Sequence, residues 1–194
     1  MMAIQILMVP GYQGSGAGHW QTWMEQHISG TRRLGGVCWE QPVFDLWRHA
    51  LENAIAQSAS SVCLVAHSFG CLVALSAAYQ HSERMAGVLL VAPADPQHFS
   101  AKGLREPASP EADLTSVLPA HPLPFPALLV ASTNDPWMHP ARIHAWTKTW
   151  QCPMVNIGAA GHINEASGFG PWPQGMNFLR VLLTGCNAPA LRCA

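Results

Sequence analysis

Residues 62–70 read VCLVAHSFG, and this stretch decides the fold predicted for the whole chain. Its first five residues are apolar and predict a buried strand, while the apolar run that begins at Phe69 predicts a helix. Ser68 lies at the sharp turn between them, where a serine hydroxyl projects from the end of a sheet. The N-terminus of the helix would face any negative charge that develops there. The pattern therefore predicts that Ser68 is a nucleophile; the alternative is a serine that only caps the helix.

Strands and helices are predicted to alternate along the rest of the chain. Apolar runs predict strands at residues 4–9, 61–66, 85–92, 125–132 and 154–157, with a further short strand at 37–39. Helical spacing of apolar residues predicts helices at residues 19–28, 44–57, 69–79, 140–150 and 172–184. This alternation predicts an α/β protein: a three-layer α/β/α sandwich around a doubly wound, mostly parallel sheet of about six strands.

One segment interrupts the pattern. Residues 93–126 are rich in proline and short polar side chains, and we expect a long excursion with one helical turn near residues 113–118. No linker divides the sequence, so residues 1–184 are predicted to form a single domain and residues 185–194 a frayed tail.

Composition excludes several classes of function. The 194 residues carry a net charge of −1, and only 11 % are charged, which argues against disorder and against nucleic-acid binding. No apolar run approaches the ~18 residues that span a membrane, and the N-terminus has no signal-peptide pattern. The six cysteines form no C-x-x-C pair, so we expect reduced thiols and a cytoplasmic protein.

No cofactor or metal site is predicted. The glycine-rich residues 11–18 are not followed by the Gly-Lys-Ser/Thr of a phosphate-binding loop, and they lack the third glycine of a dinucleotide fingerprint. The ten histidines are scattered and form no cluster with cysteine or carboxylate at metal-ligand spacing.

Two further residues would complete a nucleophilic site. His162 follows the last predicted strand in a Gly/Ala-rich loop, from which its imidazole can reach the serine as general base. Asp135 follows the penultimate strand and is the favoured acid, and Asp95, after the strand before it, is the second candidate. The chain order Ser68, Asp135, His162 is that of the α/β-hydrolases.

The remaining candidates surround the nucleophile. The backbone N–H of Phe69 and an N–H after the first strand would form the oxyanion hole, with Tyr12 preferred by position and Gln13 second. We expect His19, Trp20 and Trp137 to border the substrate pocket.

Several longer strings strengthen this interpretation. They are VPGY at residues 9–12, GHWQ at 18–21, AHSFG at 66–70, NDP at 134–136, GHIN at 161–164 and GFGPWP at 168–173. Over nearly its whole length the chain resembles the small serine hydrolases of the retinoblastoma-binding protein 9 type, including bacterial members described as esterases. The resemblance implies an α/β-hydrolase fold with a minimal lid and no cofactor. It also implies a Ser68–Asp135–His162 triad that cleaves small esters or amides through an acyl-enzyme.

Two functions stay open on the sequence alone. The first is a serine hydrolase of small carboxylic esters, for which thioesters and amides stay open as alternative substrates. The second is a catalytically weak protein of the same fold that acts as a protein-binding module, since a fold does not imply an activity. The L-x-C-x-E motif that gives the resembled family its name is incomplete at residues 36–40, GVCWE, so that binding role is not expected here.

Overall fold

The computed structural model describes residues 4–106 and 108–186 of the chain. Its main sheet has six strands, all parallel, in the spatial order β2-β1-β3-β4-β7-β8. These strands are β1 (Ile4–Val9), β2 (Arg32–Arg33), β3 (Ser61–His67), β4 (Met85–Val91), β7 (Ala127–Ala131) and β8 (Met154–Asn156). The predicted doubly wound parallel sheet is therefore confirmed.

Helices cover both faces of the sheet. They are α1 (Trp20–His27), α2 (Phe44–Ala56), α3 (Phe69–Gln80), α4 (Pro140–Trp150) and α5 (Pro173–Cys186). Helices α2, α3 and α4 bury their apolar side chains in one core cluster, and α1 and α5 bury theirs in a second cluster on the opposite face. Because both faces of each central strand are buried, residues 62–66 of β3 form a continuous apolar run rather than an alternating one. This arrangement is the predicted α/β/α sandwich.

The strand order places a crevice beside Ser68. From β1 the chain moves to one side to form β2, and it then returns to the other side of β1 to form β3. The loops that leave the carboxyl ends of β1 and β3 therefore diverge, which is where open α/β sheets bind ligands. Ser68 follows β3 and Tyr12 follows β1, so both flank this switch point.

The prediction of a strand at residues 37–39 is wrong. The edge strand is instead the two-residue β2, in which Arg32 and Arg33 pair with Leu7 and Met8 of β1. Trp39 lies in a turn, where its ring packs edge-on against Trp47 with centroids 5.0 Å apart. The indole contact and a hydrogen bond from the Gln13 N–H to Trp39 O at 2.8 Å hold this segment, whose backbone does not pair with the sheet.

The excursion at residues 93–126 contains short local structure. A two-stranded antiparallel hairpin, β5 (Phe99–Ser100) and β6 (Gly103–Leu104), is followed by a 3₁₀ turn at Leu114–Val117, close to the helical turn predicted there. Phe99, Leu114 and Phe125 are buried in the core cluster that also contains α3. The excursion is thus anchored to the domain by apolar side chains.

The C-terminal boundary differs slightly from expectation. Helix α5 continues to Cys186, two residues past the predicted end at residue 184. Residues 187–194, most of the predicted frayed tail, lie outside the described residues, and the domain limit stays a prediction. No helix within residues 4–106 and 108–186 combines the length and apolar character needed to cross a membrane.

Gly70 lets the start of α3 lie directly against the end of β1. A Cβ placed on Gly70 would overlap the carbonyl oxygen of Pro10 and lie 2.5 Å from that of Val9. Both obstacles are backbone atoms, which cannot move aside as a flexible side chain can. Glycine at position 70 is therefore required by the packing of α3 on β1.

We expect Gly70→Ala to lower the free energy of unfolding by about 1–3 kcal/mol, the usual cost of an overpacked core. Without this overlap, alanine would stabilise a helix by roughly 0.5–1 kcal/mol relative to glycine. A fall in the free energy of unfolding therefore indicates the overlap, and a rise indicates its absence. The control is Gly35→Ala, because a Cβ at exposed Gly35 meets no atom within 4 Å. Urea unfolding would measure both variants, and equal stabilities for the two would contradict the packing argument.

Candidate active site

Ser68 occupies a strained turn between β3 and α3. Its backbone angles are φ 56° and ψ −127°, in the left-handed half of conformational space that side-chain-bearing residues rarely adopt. The Ser68 N–H donates to Val91 O at 3.1 Å, which anchors the turn to β4. On the other side, a Cβ placed on Gly11 would lie 2.7 Å from Ser68 Cβ and 3.2 Å from Ser68 Oγ. The turn therefore fits only because residue 11 has no side chain.

Three predicted residues are brought together at this turn. His162 Nε2 lies 2.7 Å from Ser68 Oγ, and His162 Nδ1 lies 2.8 and 2.9 Å from the two carboxylate oxygens of Asp135. Because a carboxylate only accepts, Nδ1 carries the proton, and Nε2 is left to accept the hydrogen bond from the serine hydroxyl. The arrangement can move a proton from Ser68 to His162 while Asp135 holds the ring.

The geometry separates the two candidate acids. Besides contacting His162, Asp135 Oδ1 accepts the Trp137 N–H at 2.8 Å, which fixes the orientation of the carboxylate. Asp95 makes other contacts: Oδ1 accepts the Gln97 N–H at 2.9 Å, and Oδ2 lies 3.1 Å from Arg142 Nε. Asp95 is therefore engaged in a turn and an ion pair.

The loop that carries His162 is held by side chains that the sequence interpretation did not include. Asn134 Oδ1 accepts the Gly161 N–H at 2.7 Å, and Ser132 Oγ accepts the Ala160 N–H at 3.0 Å. Both side chains follow β7, the strand that also leads to Asp135. Asp135 and His162 are thus positioned by one pair of interacting loops. Ser132 and Asn134 are polar residues directly after a strand, and this position in the sequence could have indicated their role.

His67, which precedes the nucleophile, was also missed. Its Nε2–H donates to His162 O at 2.9 Å, and its ring lies 4.9 Å from the His162 ring between centroids. Burial lowers the pKa of His67 well below its usual value, so the ring is neutral and its second nitrogen is an acceptor. His67 therefore ties the backbone of His162 to β3, the strand that leads to Ser68.

His19 and Trp20 lie behind these residues. His19 caps helix α1 by accepting the Gln21 N–H on Nδ1, and burial lowers its pKa to about 4. Its Nε2 has no hydrogen-bond partner within the described part of the chain. Trp20 is fully buried and is not part of the cavity wall. Its indole N–H donates to Ile163 O at 2.8 Å, so Trp20 supports the His162 loop.

A cavity of about 440 Å³ opens above the serine hydroxyl. Predicted residues that line it are Tyr12, His19, Ser68, Trp137 and His162. Phe99, from the excursion, adds an apolar wall beside Trp137, with the rings stacked at a centroid distance of 6.3 Å. Across residues 4–106 and 108–186, no group of three His, Cys, Asp or Glu side chains is arranged to hold a metal ion.

The two candidates for the second oxyanion donor are also distinguished. The Gln13 N–H already donates to Trp39 O at 2.8 Å, which leaves Tyr12 as the stronger candidate. Phe69 is the first residue of α3, a position at which a backbone N–H has no acceptor within its own helix. Negative charge that develops above Ser68 would thus meet the N-terminus of α3.

Known proteins are similar to this chain in family and in fold. The chain matches the family described as serine hydrolase over residues 6–181. A YdeN-like hydrolase from Pectobacterium atrosepticum is 34 % identical, covers 94 % of this chain and 92 % of its own, and superimposes with a TM-score of 0.84. The ydeN gene product of Bacillus subtilis is 18 % identical, with 94 % and 100 % coverage and a TM-score of 0.69, which shows a shared fold. No curated protein is significantly similar in sequence.

The buried, neutral His19 predicts a dependence of stability on pH. Its pKa is about 4 in the folded protein and ~6.5 when unfolded, so between these values the unfolded chain binds more protons. Stability therefore falls as pH falls through this window, by about 2 kcal/mol between pH 7 and pH 5 from this one residue.

His19→Asn keeps a capping side chain and removes the titration. We expect the loss of unfolding free energy between pH 7 and pH 5 to be smaller in this variant by about 2 kcal/mol. Urea unfolding of both proteins at the two pH values would measure it. The same pH dependence in both proteins would show that His19 titrates normally in the folded state.

Proposed function

The chain belongs to the serine hydrolase family, and we propose that it cleaves small carboxylic esters, thioesters or amides through an acyl-enzyme on Ser68. The observation that supports this most is the hydrogen-bonded series Asp135–His162–Ser68, with its serine at the floor of an open cavity. On the motifs GHIN and GFGPWP we also propose that the chain lies within the retinoblastoma-binding protein 9 type of this family.

The reaction follows from the direction of these hydrogen bonds. Ser68 Oγ attacks the substrate carbonyl carbon while His162 Nε2 takes the hydroxyl proton, giving a tetrahedral oxyanion and an imidazolium. The N–H groups of Phe69 and Tyr12 stabilise the oxyanion. The imidazolium then returns its proton to the leaving group as the bond to carbon breaks. Water, deprotonated by His162, releases the acyl group from Ser68 in the same way.

Asp135 and His67 hold the imidazole during both proton transfers. Asp135 accepts from Nδ1, which keeps Nε2 free for the serine and stabilises the imidazolium that forms. His67 binds the His162 carbonyl, and it does so as a neutral ring that adds no positive charge beside the imidazolium. The base therefore keeps both its orientation and its capacity to accept a proton.

The cavity favours small substrates. Its volume of about 440 Å³ lies at the lower end of the range for small-molecule sites, roughly 300–1,000 Å³.

The alternative function, a protein-binding module, depended on the excursion at residues 93–126. Most apolar side chains of that segment, among them Phe99, Leu114 and Phe125, are buried in the core, while Leu104 and Val117 are exposed. Single exposed apolar side chains are ordinary on a protein surface, so no specific observation favours a partner surface there.

Labelling with a tagged fluorophosphonate tests the proposal, because this reagent reacts with an activated serine. We expect labelling of the wild type and of Ser76→Ala, a control that removes another serine near the middle of α3, and none of Ser68→Ala. Labelling is read by fluorescence after denaturing electrophoresis. A folded Ser68→Ala protein that labels as strongly as the wild type would contradict the assignment of the nucleophile.

The acid is tested by two matched substitutions. Asp135→Asn places an amide beside His162 and favours the wrong tautomer, so kcat/KM for nitrophenyl acetate should fall by about 10³–10⁴-fold. Asp95→Asn makes the same chemical change in a residue that binds Arg142, and we expect a loss of less than about tenfold. Comparable losses for the two variants would show that Asp135 has no special part in turnover.

A further inference from the structure

Glu165 places a carboxylate at the rim of the cavity that contains Ser68. It lies three residues after His162, in a 3₁₀ turn (Glu165–Ser167) held by Asn164, whose side chain accepts the Ser167 N–H at 3.0 Å. The side chain is directed over the glycine-rich loop. A Cβ on Gly18 would overlap Glu165 Oε1 and lie 3.0 Å from Oε2, and a Cβ on Gly16 would lie 3.6 Å from Oε2. The glycines leave the space that this carboxylate occupies.

The described residues provide no cationic partner for this carboxylate. Among the residues that the structure describes, no Lys, Arg or His side chain forms an ion pair with Glu165. Arg33 extends toward the same loop, where its Nη1 donates to Ser15 O, but its Nε and Nη2 bind Glu25 at 2.7 and 2.8 Å. Glu165 itself is exposed to solvent.

The rest of the cavity wall contributes no compensating charge. No lysine or arginine lines the cavity. His19 and His67 do line it, and burial lowers the pKa of each so that both rings are neutral at pH 7. Asp135 lies behind His162 and adds negative charge on the same side of the sheet. The wall therefore favours a positively charged group and disfavours an anionic one.

We propose that Glu165 forms a subsite for a cationic group, so that the preferred substrates are esters or amides carrying an ammonium. This inference rests on the proposed hydrolase function and adds the substrate class to it. The apolar part of such a substrate has a surface to contact in the stacked rings of Phe99 and Trp137, and an indole face also attracts a cation. The subsite is open to solvent, so its contribution falls as salt rises.

A pair of substrates matched in shape measures the effect of a positive charge on the substrate. Nitrophenyl esters whose acyl chain ends in trimethylammonium are compared with esters of the same length that end in tert-butyl, with three or four methylene groups before the terminus. The two termini have nearly the same shape and differ in charge. The readout is the ratio of kcat/KM for the cationic ester to that for the neutral ester, measured in the wild type and in variants, so that differences in intrinsic ester reactivity cancel.

We expect Glu165→Gln to lower this ratio by about twofold to fivefold at low salt, the range for an exposed ion pair. Glu83→Gln is the control, because Glu83 is exposed and precedes β4, at the opposite edge of the sheet from the carboxyl ends of the strands. That variant changes the net charge equally and should keep the wild-type ratio. An unchanged ratio in Glu165→Gln, or an equal fall in both variants, would overturn the subsite while leaving the hydrolase function in place.

A binding measurement separates the subsite from turnover. Butyltrimethylammonium is titrated into Ser68→Ala protein, with and without Glu165→Gln, and chemical shifts of the indole N–H groups report occupancy beside Trp137. Binding that weakens in the Glu165→Gln background supports the subsite even if neither ester is hydrolysed, a result that would count against the proposed function alone. Equal binding in both backgrounds, or none in either, would overturn the subsite.

Discussion

The close approach of β1 to the turn at Ser68 is the constraint on which the site depends. Gly11 lies directly against Ser68, and Gly70 lets the first turn of α3 lie against the carbonyl groups of Val9 and Pro10. These contacts hold Ser68 at φ 56°, a conformation that costs free energy and that the surrounding structure must enforce. The same approach places the loop after β1 beside the N-terminus of α3. The positions of Ser68 and of the candidate oxyanion donors are therefore set by one packing interaction between a strand and a helix.

The opposite side of the site depends on hydrogen bonds between loops. Ser132 and Asn134 hold the backbone before His162, while His67 and Trp20 bind the carbonyl groups of His162 and Ile163. Ile163 itself has φ 48°, unusual for a β-branched residue, so the loop is strained as well as bonded. In this account rigid scaffolding on both sides keeps Ser68 and His162 2.7 Å apart before any substrate binds, which reduces the reorganisation needed for reaction.

Most of the fold and the central residues of the candidate site could be predicted from local sequence. Buried parallel strands give continuous apolar runs, and the candidate residues follow the ends of these strands. Ser68, Asp135 and His162 were predicted in that way. The edge strand β2 could not be, since two charged residues carry no periodicity. The roles of His67 and Trp20 depend on partners 95 and 143 residues away in the chain, so the sequence alone could not indicate them. Trp39 misled the interpretation because an aromatic residue with strand propensity was packed in a turn.

The central claim is that Ser68 becomes acylated during turnover, and mass spectrometry of the quenched reaction tests it most directly. The protein is mixed with a nitrophenyl ester in excess, quenched in acid within the first turnover and digested. The account predicts that the peptide containing Ser68 gains the mass of the acyl group, in step with an initial burst of nitrophenolate. Release of nitrophenolate without acyl mass on that peptide would contradict it.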